Sequence, residues 1–191
     1  DEDERNSYIA KYLNQSLPEL NQFIKVTLEL GATPARLDDI QTTLDPYLKH
    51  KNSEARICAC HCLNAALDVY MKTVKMGCEA PSKFNQTGSM LGKIIPRCID
   101  SNATVRQTAV EILKRILEIS CMYETLTIPD TDDDWIKQLL NIKEDITTDD
   151  PQEIYRIAGD LAGIIAKRLV NMQYVQFSKS LMYCIKDSEV S

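Results

Sequence analysis

The chain has 191 residues, enough for one domain or two small ones, and 44% of them are hydrophobic, so a sizeable core can be buried. Its net charge of −6 and an aromatic content of only 6% disfavour general binding to nucleic-acid phosphates or to stacked single-stranded bases. Seven cysteines, an odd number, follow an acidic start without a signal-like apolar run. This pattern favours a reducing, cytoplasmic location over a secreted disulfide framework.

Helical periodicity runs through nearly the whole chain and predicts an all-α protein with about nine helices. Three helix starts are marked by a capping residue followed by proline, at Ser16, Thr33 and Asp150. No stretch alternates in the way that strands joined by hairpin turns do. The expected helices are 4–15, 17–30, 34–48, 52–75, 86–98, 102–121, 133–143, 151–170 and 172–186.

Two connections differ from the rest in length or composition. Residues 76–89 form a long connection, which is either a partner-contact loop or a passive linker. Residues 126–134 form an acidic loop that leads into a helix, where carboxylates interact favourably with the helix dipole. The acids of this loop do not match a calcium-binding loop, because Trp135 and Asn141 stand where glycine and glutamate are required.

An internal repeat with an offset of 50 residues is the most informative feature of the sequence. Residues 51–63 align without a gap to residues 101–113, and both copies contain Asn, Arg, Ala and Leu at the same spacing. We expect the asparagine to cap a helix, the alanine to admit a paired helix, and the arginine to bridge to carbonyls or acids of the adjoining turn. The motif residues are Asn52, Arg56, Ala59, Leu63, Asn102, Arg106, Ala109 and Leu113.

The second copy of this motif resembles the second helix of a HEAT repeat. Together with Pro96-Arg97-Cys98-Ile99-Asp100 and Ile164-Ile165-Ala166-Lys167-Arg168-Leu169, it resembles the maestro heat-like repeat family over most of the chain. The resemblance implies a superhelix of stacked helical hairpins, about four units, with residues 1–191 forming one segment cut from a longer solenoid. It also implies a non-catalytic scaffold. For some members it implies self-assembly and recruitment by a Rab-type GTPase to the cytosolic face of lysosomes, where they promote tubule fission.

No group of residues in the sequence predicts catalysis, a cofactor or a metal site. The cluster Cys58-Ala59-Cys60-His61-Cys62 has metal-ligating residue types, but on a helix Cys60 points away from the face shared by Cys58 and Cys62. Buried structural cysteines are the simpler interpretation. Gly159 and Gly163, spaced as G-x-x-x-G, predict a helix with a close neighbour.

Charge is unevenly distributed, with a basic stretch at 51–97 and an acidic stretch at 126–160. These stretches suggest either self-association of oppositely charged regions or attachment of the basic stretch to anionic membrane or an acidic partner; two ordinary solvated faces are the alternative. A generic protein–protein adaptor unrelated to lysosomes is a second hypothesis for function, and a nucleic-acid-binding helical array is a disfavoured third. The candidate basic contact residues are Lys72, Lys75, Lys83 and Lys93.

Overall fold

The computed structural model describes residues 2–74, 84–125, 130 and 132–189, and all the regular structure in these ranges is helical. The all-α class is therefore confirmed. The chain divides into two compact units, Asp1–Lys75 and Met76–Ser191. In chain order the α-helices are α1 (Glu2–Glu29), α2 (Pro34–Leu48), α3 (Ser53–Thr73), α4 (Thr87–Ile94), α5 (Ala103–Thr125), α6 (Asp134–Asp145), α7 (Pro151–Arg168) and α8 (Asn171–Glu189); a 3-10 helix (Ile95–Ile99) follows α4.

In the first unit, α1 and α2 both pack against α3. The sequence predicts two helices, 4–15 and 17–30, but the structure has one continuous helix, and Ser16 does not cap a new one. Pro18 lies inside α1 and is exposed, so water can solvate the carbonyl group that the missing proline N–H leaves unpaired. The continuous helix gains the packing of its later turns, through Ile24 and Leu28, without a break.

The two other predicted proline-marked helix starts are confirmed. The Thr33 hydroxyl accepts the N–H of Arg36 at 3.3 Å, and the Asp150 carboxylate accepts the N–H of Gln152 at 3.0 Å. Both prolines occupy the first turn, where a helix leaves N–H groups without partners and loses nothing by lacking one.

The second unit is built around α5, which packs against α4, the 3-10 helix and α6. Its apolar residues are buried on more than one side, because neighbours surround it. The expected helix 86–98 is split into α4 and the 3-10 helix. Pro96 lies at the start of that 3-10 helix, where it cannot donate the hydrogen bond that would continue α4.

Helix α8 lies directly against α4, and two glycines make this close approach possible. A Cβ atom on Gly88 would collide with the carbonyl oxygen of Gln173, and one on Gly92 would lie 2.7 Å from the carbonyl oxygen of Phe177. A buried polar contact adds to this junction, because the hydroxyl of Thr87 and the side-chain amide of Gln173 both reach the Ser120 hydroxyl on α5. The α4–α8 pair is thus fixed in position by backbone contact and by hydrogen bonds.

The prediction that Gly159 and Gly163 face a close neighbour is wrong. Both glycines are exposed, and a Cβ atom on either would have nothing within 4 Å. The buried face of α7, which includes Ile157, Leu161 and Ile164, lies on the opposite side of the helix. A G-x-x-x-G spacing identifies one face of a helix but does not determine whether that face is covered.

Candidate protein-binding surfaces

The two copies of the repeat motif place their asparagines at helix N-termini. The Asn52 side-chain oxygen accepts the N–H of Glu54 at 2.8 Å, and that of Asn102 accepts the N–H groups of Thr104 and Val105 at 2.9 and 3.2 Å. Each asparagine therefore satisfies N–H groups that the first turn of a helix leaves without partners.

The motif arginines are buried and bind main-chain carbonyl groups. The Arg106 side chain is almost completely inaccessible and donates to the carbonyl oxygens of Asp100 at 2.8 Å, Ile146 at 2.9 Å and Thr148 at 2.6 Å. It thereby joins the start of α5 to the turn between α6 and α7. Arg56 is also buried and donates to the carbonyls of His50 and Lys51.

The remaining motif residues contribute apolar packing. Ala59, Leu63, Ala109 and Leu113 are all buried, each with at most 3% of its surface exposed. Together with the caps and the arginines, they hold the turns and helix contacts within each unit. The motif therefore occupies structural positions in both units and exposes no reactive group.

A third arginine, Arg36, has a related role that the repeat alignment does not reveal. The Arg36 guanidinium donates to the carbonyl oxygens of Gly31 at 2.7 Å and Thr27 at 3.1 Å, where α1 ends. Arg36 follows its capping residue Thr33 by three positions, whereas Arg56 and Arg106 follow their caps by four. That one-residue difference conceals the similarity in a gap-free alignment.

The cysteine cluster lies on α3 as buried thiols. Burial, reinforced by the neighbouring Cys58, raises the pKa of Cys62 to about 11, and burial with the nearby Glu54 also raises the pKa of Cys58. Such thiols stay protonated and react slowly. Among the described residues, no three His, Cys, Asp or Glu side chains are placed to hold a metal ion.

The candidate basic residues are only partly described. Lys72 is exposed on α3, and its ammonium lies 2.6 Å from the carboxylate of Asp68, which offsets its charge. Lys93 is half-buried on α4, in the other unit. Lys75 and Lys83 lie outside the described residues, so the shared basic surface stays a prediction.

Both unusual connections are also described only in part. In the acidic loop, residues 126–129 and 131 lie outside the described residues, and Lys137 pairs with Asp132 at 3.0 Å. In the long connection, residues 76–83 lie outside them, and Phe84 is buried with its ring stacked 5.5 Å from that of Tyr123. Helix α4 begins at Thr87, so the connection ends earlier than the predicted residue 89.

An apolar groove of about 540 Å³ runs across the first unit. Its walls come from α1 and α2, and its floor is the small-residue face of α3. Helix α1 and helix α2 rest on α3 rather than on each other, which leaves the groove between them. The described lining residues are Ser16, Leu17, Leu20, Phe23, Ile24, Asp39, Ile40, Thr43, Leu44, Tyr47, Ala55, Cys58, Ala59 and Cys62.

The second unit exposes an apolar stripe along α8, opposite the face that packs against α4. Met172, Val175, Met182 and Tyr183 recur at helical spacing, and each has more than half of its surface exposed. Lys179 lies among them. Among the described residues, no helix is both long and apolar enough to cross a membrane. Exposed apolar side chains grouped on one helix face are common at surfaces where proteins interact.

Comparison with known proteins agrees with this architecture. A family model described as "Maestro, HEAT repeats" matches residues 47–191. Maestro heat-like repeat-containing protein family member 1 is 25% identical in its human form over 92% of this chain, 25% in Dictyostelium discoideum over 93%, and 27% in Bos taurus over 78%. The chain spans about a tenth of the length of these curated relatives, between 9 and 11%. No solved structure matches it significantly.

Proposed function

Because the chain belongs to the Maestro family of HEAT-repeat proteins, we propose that it forms part of a repeat scaffold that binds other proteins through exposed apolar helix faces. The observation that carries this proposal is the α8 stripe. Its large apolar side chains stay exposed although the opposite face of the same helix is packed. Apolar patches of this kind mark interaction sites on folded proteins.

The finer proposal concerns location and partner. The scaffold acts at the cytosolic face of lysosomes, where a Rab-type GTPase recruits it, copies self-assemble, and tubule fission follows. Peripheral contact with anionic lipid through Lys72, Lys75, Lys83 and Lys93 belongs to the same proposal. Support for these points comes from the family resemblance.

A binding titration against purified Rab-type GTPases tests the proposal. We expect the chain to bind a lysosome-associated GTPase more tightly in the GTP-analogue form than in the GDP form. Exchanging Met172 and Met182 for serine should weaken that binding about tenfold or more, because two apolar side chains would no longer be buried in the interface. Biolayer interferometry measures both effects.

The matched control carries serine at Leu140 and Tyr155, which are exposed on α6 and α7. This double variant should bind like the unchanged chain. Equal binding to the two nucleotide forms would reject recruitment by a GTPase and favour the generic adaptor. Equal weakening by the two double variants would reject the α8 stripe as the contact.

A further inference from the structure

The apolar groove of the first unit is formed by α1, α2 and α3 and includes no residue of α8. Its floor residues Ala55, Cys58, Ala59 and Cys62 occupy one face of α3 at positions i, i+3, i+4 and i+7. Small side chains there leave room above the floor, and the wall residues Phe23 and Tyr47 remain 69% and 52% exposed. The groove is thus open to solvent between two helices and is not a closed cavity in the core.

The size of the groove limits what it can hold. A volume of about 540 Å³ is within the range of about 300–1,000 Å³ that apolar ligand pockets occupy. Two helical walls and a small-residue floor form the kind of trough in which an amphipathic helix places its apolar side chains. Leucine-sized anchors at i, i+3, i+4 and i+7 of a partner helix would fill it.

The acidic residues in and around the groove favour a partner helix with basic residues at its flanks. Asp39 is the one charged residue in the described lining, and its carboxylate makes no ion pair or hydrogen bond with another described residue. Residues 16–48, which form both walls, contain five acids and two bases. One base, Lys25, lies 3.9 Å from the Glu29 carboxylate, and the other, Arg36, binds carbonyls at the end of α1.

We propose that this groove binds a basic amphipathic helix of a partner protein, with apolar anchors on the α3 floor and a lysine or arginine beside Asp39. Complementary charge sets the orientation and partner choice, while apolar burial supplies most of the affinity. The proposal rests on the proposed scaffold role but concerns another unit, and it requires neither the GTPase nor α8.

A peptide-binding experiment tests it with the 191-residue chain. The probe is a fluorescein-labelled synthetic helix of about 15 residues with leucine at the i, i+3, i+4 and i+7 positions and lysine at its flanks. A second peptide carries glutamate instead of lysine. We expect fluorescence anisotropy to show tighter binding of the lysine peptide, by about two- to fivefold, because an exposed ion pair contributes little more.

Two exposed variants separate apolar burial from charge. Phe23→Ser should weaken binding of both peptides about tenfold, whereas Tyr155→Ser, equally exposed on α7, should change neither. Asp39→Lys should reverse the preference: the variant should bind the glutamate peptide more tightly than the lysine peptide. It should also bind the glutamate peptide more tightly than the unchanged chain does. Far-UV circular dichroism confirms that each variant keeps its helical content.

Several results would overturn the proposal. Equal binding of the two peptides, or an Asp39→Lys variant that keeps the original preference, would reject charge selection. Binding that Phe23→Ser leaves intact would place the peptide elsewhere. If peptide binding weakened as the concentration of the chain rises, a second copy of the chain would be competing with the peptide. The groove would then be assigned to that second copy. Failure of both peptides to bind would reject the helix as occupant, although GTPase binding by α8 could still stand.

Discussion

The Arg106 side chain is accommodated in the interior because main-chain carbonyl oxygens accept hydrogen bonds from its guanidinium. A planar fork of N–H donors suits several carbonyl oxygens that converge from different turns, which the point charge of a lysine cannot match. The same geometry explains why the motif needs an arginine at this spacing. The sequence predicts that the arginine bridges to carbonyls of the adjoining turn, because the capping asparagine and the arginine are close together in the chain. It does not reveal the contacts with Ile146 and Thr148, which lie about 40 residues away.

Replacing Arg106 by alanine should lower the free energy of unfolding of the second unit by about 2–4 kcal/mol, because several buried carbonyls lose their donor. The single tryptophan, Trp135, lies in this unit, with the Arg168 guanidinium 4.7 Å from the centre of its ring. Its fluorescence therefore measures the unfolding of the second unit in urea. Arg156→Ala is the control, since that exposed arginine pairs with the exposed carboxylates of Glu153 and Asp160. Equal loss in both variants would contradict the role assigned to Arg106.

We expect Glu111 to make the stability of the second unit depend on pH. Burial alone would raise its pKa, but the hydrogen bond from Lys143 and the charges of Lys114, Lys143 and Arg115 outweigh burial and lower it. A carboxylate with a depressed pKa contributes stability above its unfolded pKa of 4.5, and this contribution is lost as pH falls through the lower folded value. Glu111→Gln should therefore lower stability at pH 7 and flatten its fall below about pH 4.5. Urea unfolding across this range measures both, and an unchanged slope would contradict the role.

At the scale of elements, the G-x-x-x-G pattern occurs twice with opposite outcomes. Gly88 and Gly92 bring α4 against the backbone of α8, whereas Gly159 and Gly163 face open space. The spacing of the second pair suggests a close neighbour because α7 is long and strongly periodic. The same spacing in α4 does not reveal its contact with α8, because α4 is short and α8 comes about 80 residues further along the chain.

The same substitution at the two glycine pairs should have opposite effects. Gly88→Ala should destabilise the second unit, because the Gln173 carbonyl occupies the space the methyl group needs. Gly159→Ala should stabilise it by about 0.5–1 kcal/mol, because alanine favours an exposed helix and meets no neighbour. Thermal unfolding of both variants checks the prediction. A stabilising Gly88→Ala would show that α8 does not pack closely against α4.

The sequence predicts a helix start correctly where proline directly follows the capping residue, as at Thr33 and Asp150 but not at Ser16, and it does not predict the binding surfaces. Thr33 and Asp150 combine a capping side chain with an adjacent proline, so a few residues decide the structure. The groove depends on how α1 and α2 both rest on α3, which no local pattern encodes. The cysteine pattern correctly placed Cys58 and Cys62 on one face of a helix, but the space above that face became visible only in the structure.

At the scale of the molecule, each of the two units has its own core, and large exposed apolar side chains concentrate on α1 and α8. Repeat proteins bury an apolar face by covering it with a neighbouring element or partner. The chain spans about a tenth of the length of its curated relatives. Its net charge of −6 agrees with the basic partner helix that we propose for the groove of the first unit.

Hydrogen exchange on the chain with and without a GTP-loaded, lysosome-associated Rab-type GTPase tests the scaffold proposal most directly. We expect slower amide exchange along α8 in the complex, particularly around residues 172–182, with no change along the exposed face of α7. Slowing confined to α7, or no slowing in any part of the chain at saturating GTPase, would contradict binding through the apolar stripe of α8.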